Sequence, residues 1–94
     1  MDYEVEFPDY FDDYALEIAS KGYFADLVIK CSDGTEFRPV IYDSSRLIQE
    51  CGDALAGELE MFCEARVVVI AEVTRSLISR AVVRLADRNF VDLQ

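Results

Sequence analysis

The sequence predicts an α/β chain of the α+β type, a small mixed three-stranded sheet flanked by helices. Three segments carry that expectation. Leu27 to Arg38 reads as a hairpin: Leu27, Ile29 and Cys31 alternate onto one face, Asp33-Gly34 makes the turn, and Glu36, Phe37 and Arg38 return. Arg66 to Ala71, R-V-V-V-I-A, is β-branched and apolar on both faces, the pattern of a strand covered on both sides, which assigns it the central position. Behind Thr74, Leu77, Ile78, Ala81, Val82 and Leu85 recur at helical spacing.

The elements follow in order. Met1 to Glu6 alternates acidic and apolar residues, which suits a short edge strand or an unstructured arm, and residues 1 to 8 are expected to be a mobile acidic arm ahead of a single domain over 9 to 94. Asp9 is a candidate N-cap, with Asp12 and Asp13 in the first turn, where the helix dipole favours negative charge. Tyr10, Phe11, Tyr14 and Ile18 then form one aromatic face of a helix that stops at Gly22. Such a face either packs on its own domain or meets a partner, and tyrosines suit a half-wet interface.

After the hairpin, Pro39 ends regular pairing or places its strand at an edge, because proline has no N–H to donate. Asp43, Ser44 and Ser45 are competing caps for a short helix through Arg46, Leu47, Ile48 and Cys51 that Gly52 terminates. Asp53 caps a second helix, expected to bury Leu55, Leu59 and Phe62. In the last helix Arg80, Arg84 and Arg88 repeat every four residues, as a solvated face or as an anion-binding ladder.

Composition narrows the function. The chain has 94 residues, 52% of them hydrophobic, which is enough for one modest core. Its net charge is −10, with seven acidic and no basic residues before position 18, so direct binding to nucleic-acid phosphates is disfavoured. No apolar run is long enough to span a bilayer, and no basic, apolar leader opens the chain, so a cytoplasmic or nuclear protein is expected. Cys31, Cys51 and Cys63 are odd in number and widely spaced, and are read as reduced, buried small hydrophobes. With no histidine, a Ser-His-Asp triad, a Cys-His dyad and His-containing zinc sites are excluded. Neither a P-loop nor a dinucleotide fingerprint is present, so no enzyme activity and no cofactor are expected.

The segment S-K-G-Y-F-A-D-L-V-I-K-C-S-D-G-T-E-F, from Ser20 to Phe37, resembles the opening of a BTB/POZ domain, the elongin C-like superfold, and is closest in pattern to fungal members. Asp26 falls on the family's aspartate at the first strand, and Phe37 on its second-strand aromatic. Val67 to Phe90 is similar to the family's third strand, a short acidic loop and a helix leading to an aromatic, so the resemblance runs from about Tyr14 to Phe90. R-P-V-I-Y-D-S-S departs from it, lacking the basic pair led by histidine that usually follows the second strand.

The resemblance implies a protein interaction module that homodimerises through its lead helix, with Tyr10, Phe11, Tyr14, Ile18 and Asp26 in the interface. It also implies a ubiquitin-ligase adaptor role. E-C-G-D-A-L-A-G-E is similar to a family segment that contacts a cullin, which makes Leu55 and Glu58 the candidate contact. The chain stops soon after Phe90, so the family's late helices are expected to be lacking. A rival from the charge alone is an acidic protein that mimics nucleic acid and blocks a basic DNA-binding partner.

Overall fold

Pro39 marks the point where the chain passes from one sheet to another in the computed structural model, which describes residues 2–94. The class is α+β as expected, but there are two three-stranded sheets where one was anticipated. In the first, β1 (Tyr3–Glu6), β3 (Val28–Cys31) and β4 (Glu36–Phe37) are antiparallel in the order β1-β3-β4. In the second, β2 (Tyr23–Phe24) is antiparallel and β6 (Val67–Val69) parallel to the middle strand β5 (Val40–Tyr42). Helices α1 (Ala15–Lys21), α2 (Ser44–Ala56) and α3 (Arg75–Asp87) complete the order, with a 3-10 turn at Val91–Leu93.

The hairpin forms where the sequence puts it. Leu27, Ile29 and Cys31 are all buried, Gly34 takes φ 90° in the turn, and the Thr35 N–H donates to Asp33 Oδ1 at 2.9 Å. That bond holds the Asp33 carboxyl below the ordinary carboxylate range. The Cys31 thiol is pushed up, first by burial and then by the Asp33 charge.

The N-terminal segment is no mobile arm. Tyr3 pairs with Cys31 and Val5 with Ile29, so the acid–apolar alternation is that of an edge strand with Tyr3 and Val5 turned to the core. Lys30 of β3 meets Glu6 at 3.1 Å across the ladder.

Asp9 does not cap a helix. Residues 9–14 are turns, and α1 starts at Ala15 without a side-chain cap, because Phe11 is drawn inward (1% exposed) against Phe7 and Phe24, each with ring centroids 4.9 Å away. The stop at Gly22 is as expected, with φ 68°. A Cβ there would overlap the Asp43 carboxyl, and the Asp43 N–H donates to the Gly22 carbonyl at 2.9 Å, so glycine couples the end of α1 to the start of α2.

The expected pair of helices after Asp43 is one helix. Asp43 Oδ1 accepts from the Arg46 N–H at 2.8 Å and α2 runs through Gly52 to Ala56. Gly52 lacks the left-handed backbone that ends a helix, and its helical penalty of about 1 kcal/mol is absorbed. Asp53 is therefore interior to α2, and the segment after Gly57 is irregular, reversed by Glu60 at φ 53°. Leu55 and Leu59 are exposed, and Phe62 only half-buried.

The run from Arg66 is an edge strand and not the central one. β6 pairs only with β5, and Val69 stays 46% exposed. Its Val68 and Ile70 pack on the core, so two-sided hydrophobicity here marks one covered face and one open one. Of the cysteines only Cys31 is buried, while Cys63 is exposed.

Helix α3 follows expectation. Thr74 Oγ1 accepts from the Leu77 N–H at 3.3 Å, and Ile78 and Val82 lie in the core. It closes on Phe90, fully buried although its φ is 56°, a left-handed conformation that costs a bulky residue about 1–2 kcal/mol. The Phe90 N–H returns to the Leu85 carbonyl at 2.9 Å, and its ring lies 5.4 Å from Tyr3 and 5.5 Å from Phe37.

Phe90→Ala is expected to lower stability by about 3–5 kcal/mol in urea unfolding, and Val83→Ala, on the open face of α3, by no more than about 0.5 kcal/mol. Deleting residues 2–6 is expected to lower the unfolding midpoint, whereas loss of a mere arm would leave it unchanged.

Candidate interaction surface

The aromatic stripe of the lead segment splits between two environments. Phe11 and Ile18 belong to the core, at 1% and 8% exposed, and so are removed from the expected partner interface. Because α1 begins only at Ala15, the spacing from Tyr10 to Ile18 is not that of one helix face. Tyr10 and Tyr14 point outward, 39% and 55% exposed, with ring centroids 6.3 Å apart.

These two tyrosines, with Glu17, Lys21, Tyr23 and Asp26, border an open groove of about 410 Å³ floored by Ile18 and Phe24. The structure thus brings Tyr10, Tyr14 and Asp26 together. The Tyr10 hydroxyl donates to Asp26 Oδ2, and its pKa is pushed up to about 12, first by that bond, then by burial and the Asp26 charge. Leu16, 84% exposed, lies about 160° around α1 from Ile18 and faces away from this groove. Sequence reasoning missed Tyr23, which reaches the groove only through the pairing of β2 with β5.

Leu55 and Glu58 lie elsewhere, Leu55 in the last turn of α2 and Glu58 just past its end, both exposed. No residue of α2 is buried. Ile48, Leu59 and Met61 are also open, at 72%, 78% and 57%. Tyr42 holds the segment beyond α2 from beneath, its hydroxyl donating to Glu64 Oε1 at 2.9 Å and its ring 6.5 Å from Phe62. Burial, then Glu64, drives the Tyr42 pKa upward.

The arginine row is a solvated face. Arg88 pairs with Asp92 at 2.8 Å, while Arg80 and Arg84 make no ion pair among the described residues. The acidic lead segment is met instead by Arg75, whose Nε lies 3.0 Å from Asp12 Oδ1 and whose guanidinium covers the Phe7 ring at 4.1 Å. Among the described residues no group of three or more Cys, Asp and Glu is placed to hold a metal ion.

Alkaline titration followed by phenolate absorbance tests the Tyr10–Asp26 bond. A raised tyrosine pKa contributes stability that is complete below the unfolded value of 10.0 and is lost as pH rises through about 12. Tyr10→Phe is expected to remove one late step, and Asp26→Ala to return that step toward 10.0. If Tyr10→Phe removed a step near 10.0 from the otherwise unaltered chain, the bond would not exist in solution.

No family model matches the chain, and no curated protein or solved structure matches it.

Proposed function

We propose that the chain is a protein interaction module of BTB/POZ type, working by docking and not by catalysis. The observation that carries the reading is a rigidly seated lead segment, anchored by buried Phe11 and Ile18, that leaves Tyr10, Tyr14 and Tyr23 open along one groove. The order of elements supports the family resemblance: a lead helix ending at Gly22, Asp26 before a hairpin strand, Phe37 in its return, a later strand, and a helix leading to buried Phe90.

In this reading two copies pair through Tyr10, Tyr14 and the groove beside them. A stable interface needs about 800 Å² per partner, roughly an eighth of the chain's 6254 Å² surface. Leu55 and Glu58 are the residues proposed to meet a cullin, and their exposure is compatible with that role. The adaptor role and a cytoplasmic or nuclear location belong to the same proposal. No helix among the described residues is long and apolar enough to cross a membrane.

The acidic-mimic alternative has less support. Much of the charge does local work, since Asp43 caps a helix, Asp33 shapes a turn, and Glu6, Asp12 and Asp92 sit in ion pairs. Open Arg80 and Arg84 would also repel a basic DNA-binding partner.

Light scattering after size exclusion tests the dimer. The wild-type chain is expected at twice its 10.7 kDa mass, and Tyr14→Ala with Glu17→Ala at the monomer mass with an unchanged melting temperature. A wild-type monomer at every concentration would overturn the dimer, as would a double variant that still pairs.

A further inference from the structure

Helix α2 presents an apolar arc that its own chain covers only in part, leaving the Ile48 and Leu55 side open. At 100° per residue, Leu47, Cys51 and Ala54 sit together and continue into Ile48 and Leu55, an arc of about 120° of the kind that normally faces a core. Yet none of these is buried, and Ile48 and Leu55 are 72% and 60% exposed. Hydrogen bonds from α2 to other elements, among the described residues, come from its first turn alone: Asp43 to Gly22, and the Arg46 guanidinium to the Lys21 carbonyl at 3.2 Å. Beyond α2, Leu59 and Met61 extend the open surface on a segment tied down at Phe62 and Glu64.

The rim decides the occupant. Residues 43–64 carry six acidic side chains against the one cation Arg46. Arg46 is already paired with Glu50 at 2.7 Å, while Glu58 and Glu60, on either side of Leu59, are exposed and make no ion pair among the described residues. A second copy meeting this face through a two-fold axis would set these carboxylates against their own images. The chain's own basic helix face is a poor substitute, because beside Arg80 and Arg84 it offers mainly Val83 as an open apolar group, and a head-to-tail contact of that kind does not close.

We infer that the α2 face and the segment after it dock a basic amphipathic helix of another protein, apolar residues seated against Ile48, Leu55 and Leu59 and flanking lysines or arginines meeting Glu58 and Glu60. The inference rests on the reading of the chain as an interaction module, and gives the surface around Leu55 and Glu58 a partner chemistry. It does not depend on the dimer.

The test uses the full chain and a labelled leucine/lysine peptide of about 18 residues, long enough to form a one-faced helix on binding. A scrambled peptide of equal composition and a leucine/glutamate peptide of equal pattern serve as controls. Fluorescence anisotropy should show the leucine/lysine helix binding at least tenfold more tightly than either control, with amide shift changes gathered in residues 47–62. Ile48→Ser with Leu55→Ser should weaken it at least tenfold without changing the far-UV spectrum, and neutralising Glu58 and Glu60 should flatten its salt dependence. Tyr14→Ala with Glu17→Ala should bind the peptide as the wild type does, which separates this inference from the dimer. Equal binding of a control peptide would overturn it, as would shift changes centred on α1. So would a wild-type dimer that Ile48→Ser with Leu55→Ser dissolves, since a second copy would then be the occupant.

Discussion

The passage of the backbone through Pro39 is the constraint on which the rest of the structure depends. Phe37 ends the first sheet and Val40, whose N–H donates to the Arg66 carbonyl at 2.9 Å, begins a ladder in the second. Proline between them has no N–H to leave unpaired, and its ring is fully buried. Two sheets too small to stand alone thereby share one core, with Leu27, Ile29 and Phe37 from one and Phe24 and Ile41 from the other. Ile78 and Val82 of α3 close over them.

That shared core explains why the two ends of the chain are ordered by one another. Tyr3 of the first strand and Phe37 of the hairpin both meet Phe90, and burial of its ring, worth about 1.5–3 kcal/mol, offsets its left-handed backbone. A similar clasp fixes the lead segment. Arg75, at the first turn of α3, covers Phe7 and pairs with Asp12, so the side chain that an acidic segment attracts is also the one that shields its aromatics. The exposed ion pair itself adds little, and the stacking geometry accounts for more of the hold.

Patterns of short range were legible in the sequence, and patterns that depend on distant partners were not. The hairpin, the Gly22 stop, the Asp43 and Thr74 caps and the buried stripe of α3 are each set within a few residues, so periodicity and capping chemistry found them. Residues 3–6 escape a reading by pattern because an edge strand of alternating acid and apolar groups declares itself only through the neighbour it pairs with, here β3. Val67–Val69 looked central because β-branched residues fill both faces, yet no residue type distinguishes a strand that lacks a second neighbour. At the candidate surface, Tyr10, Tyr14 and Asp26 are open to solvent, whereas Phe11 and Ile18 face the core, a division that a helix starting at Asp9 does not foresee. Leu55 and Leu59 were expected to be buried by a helix that Gly57 and Glu60 do not allow.

The distribution of burial separates folding from docking. Sheets, α3 and the Phe90 clasp hold most of the buried side chains, whereas α1 buries Ile18 and α2 buries none. Both latter helices are fixed at one junction, where Gly22 of one meets Asp43 of the other and Arg46 lies 5.6 Å over the Tyr23 ring. A helix held by its cap and first turn keeps its direction without spending its apolar face on the core. Substitutions at Tyr14, Ile48 or Leu55 therefore remove contact area that the fold does not use, while a change at Gly22 would tilt both faces at once. Such an arrangement lets the outer surface change partner chemistry while the shared core stays the same.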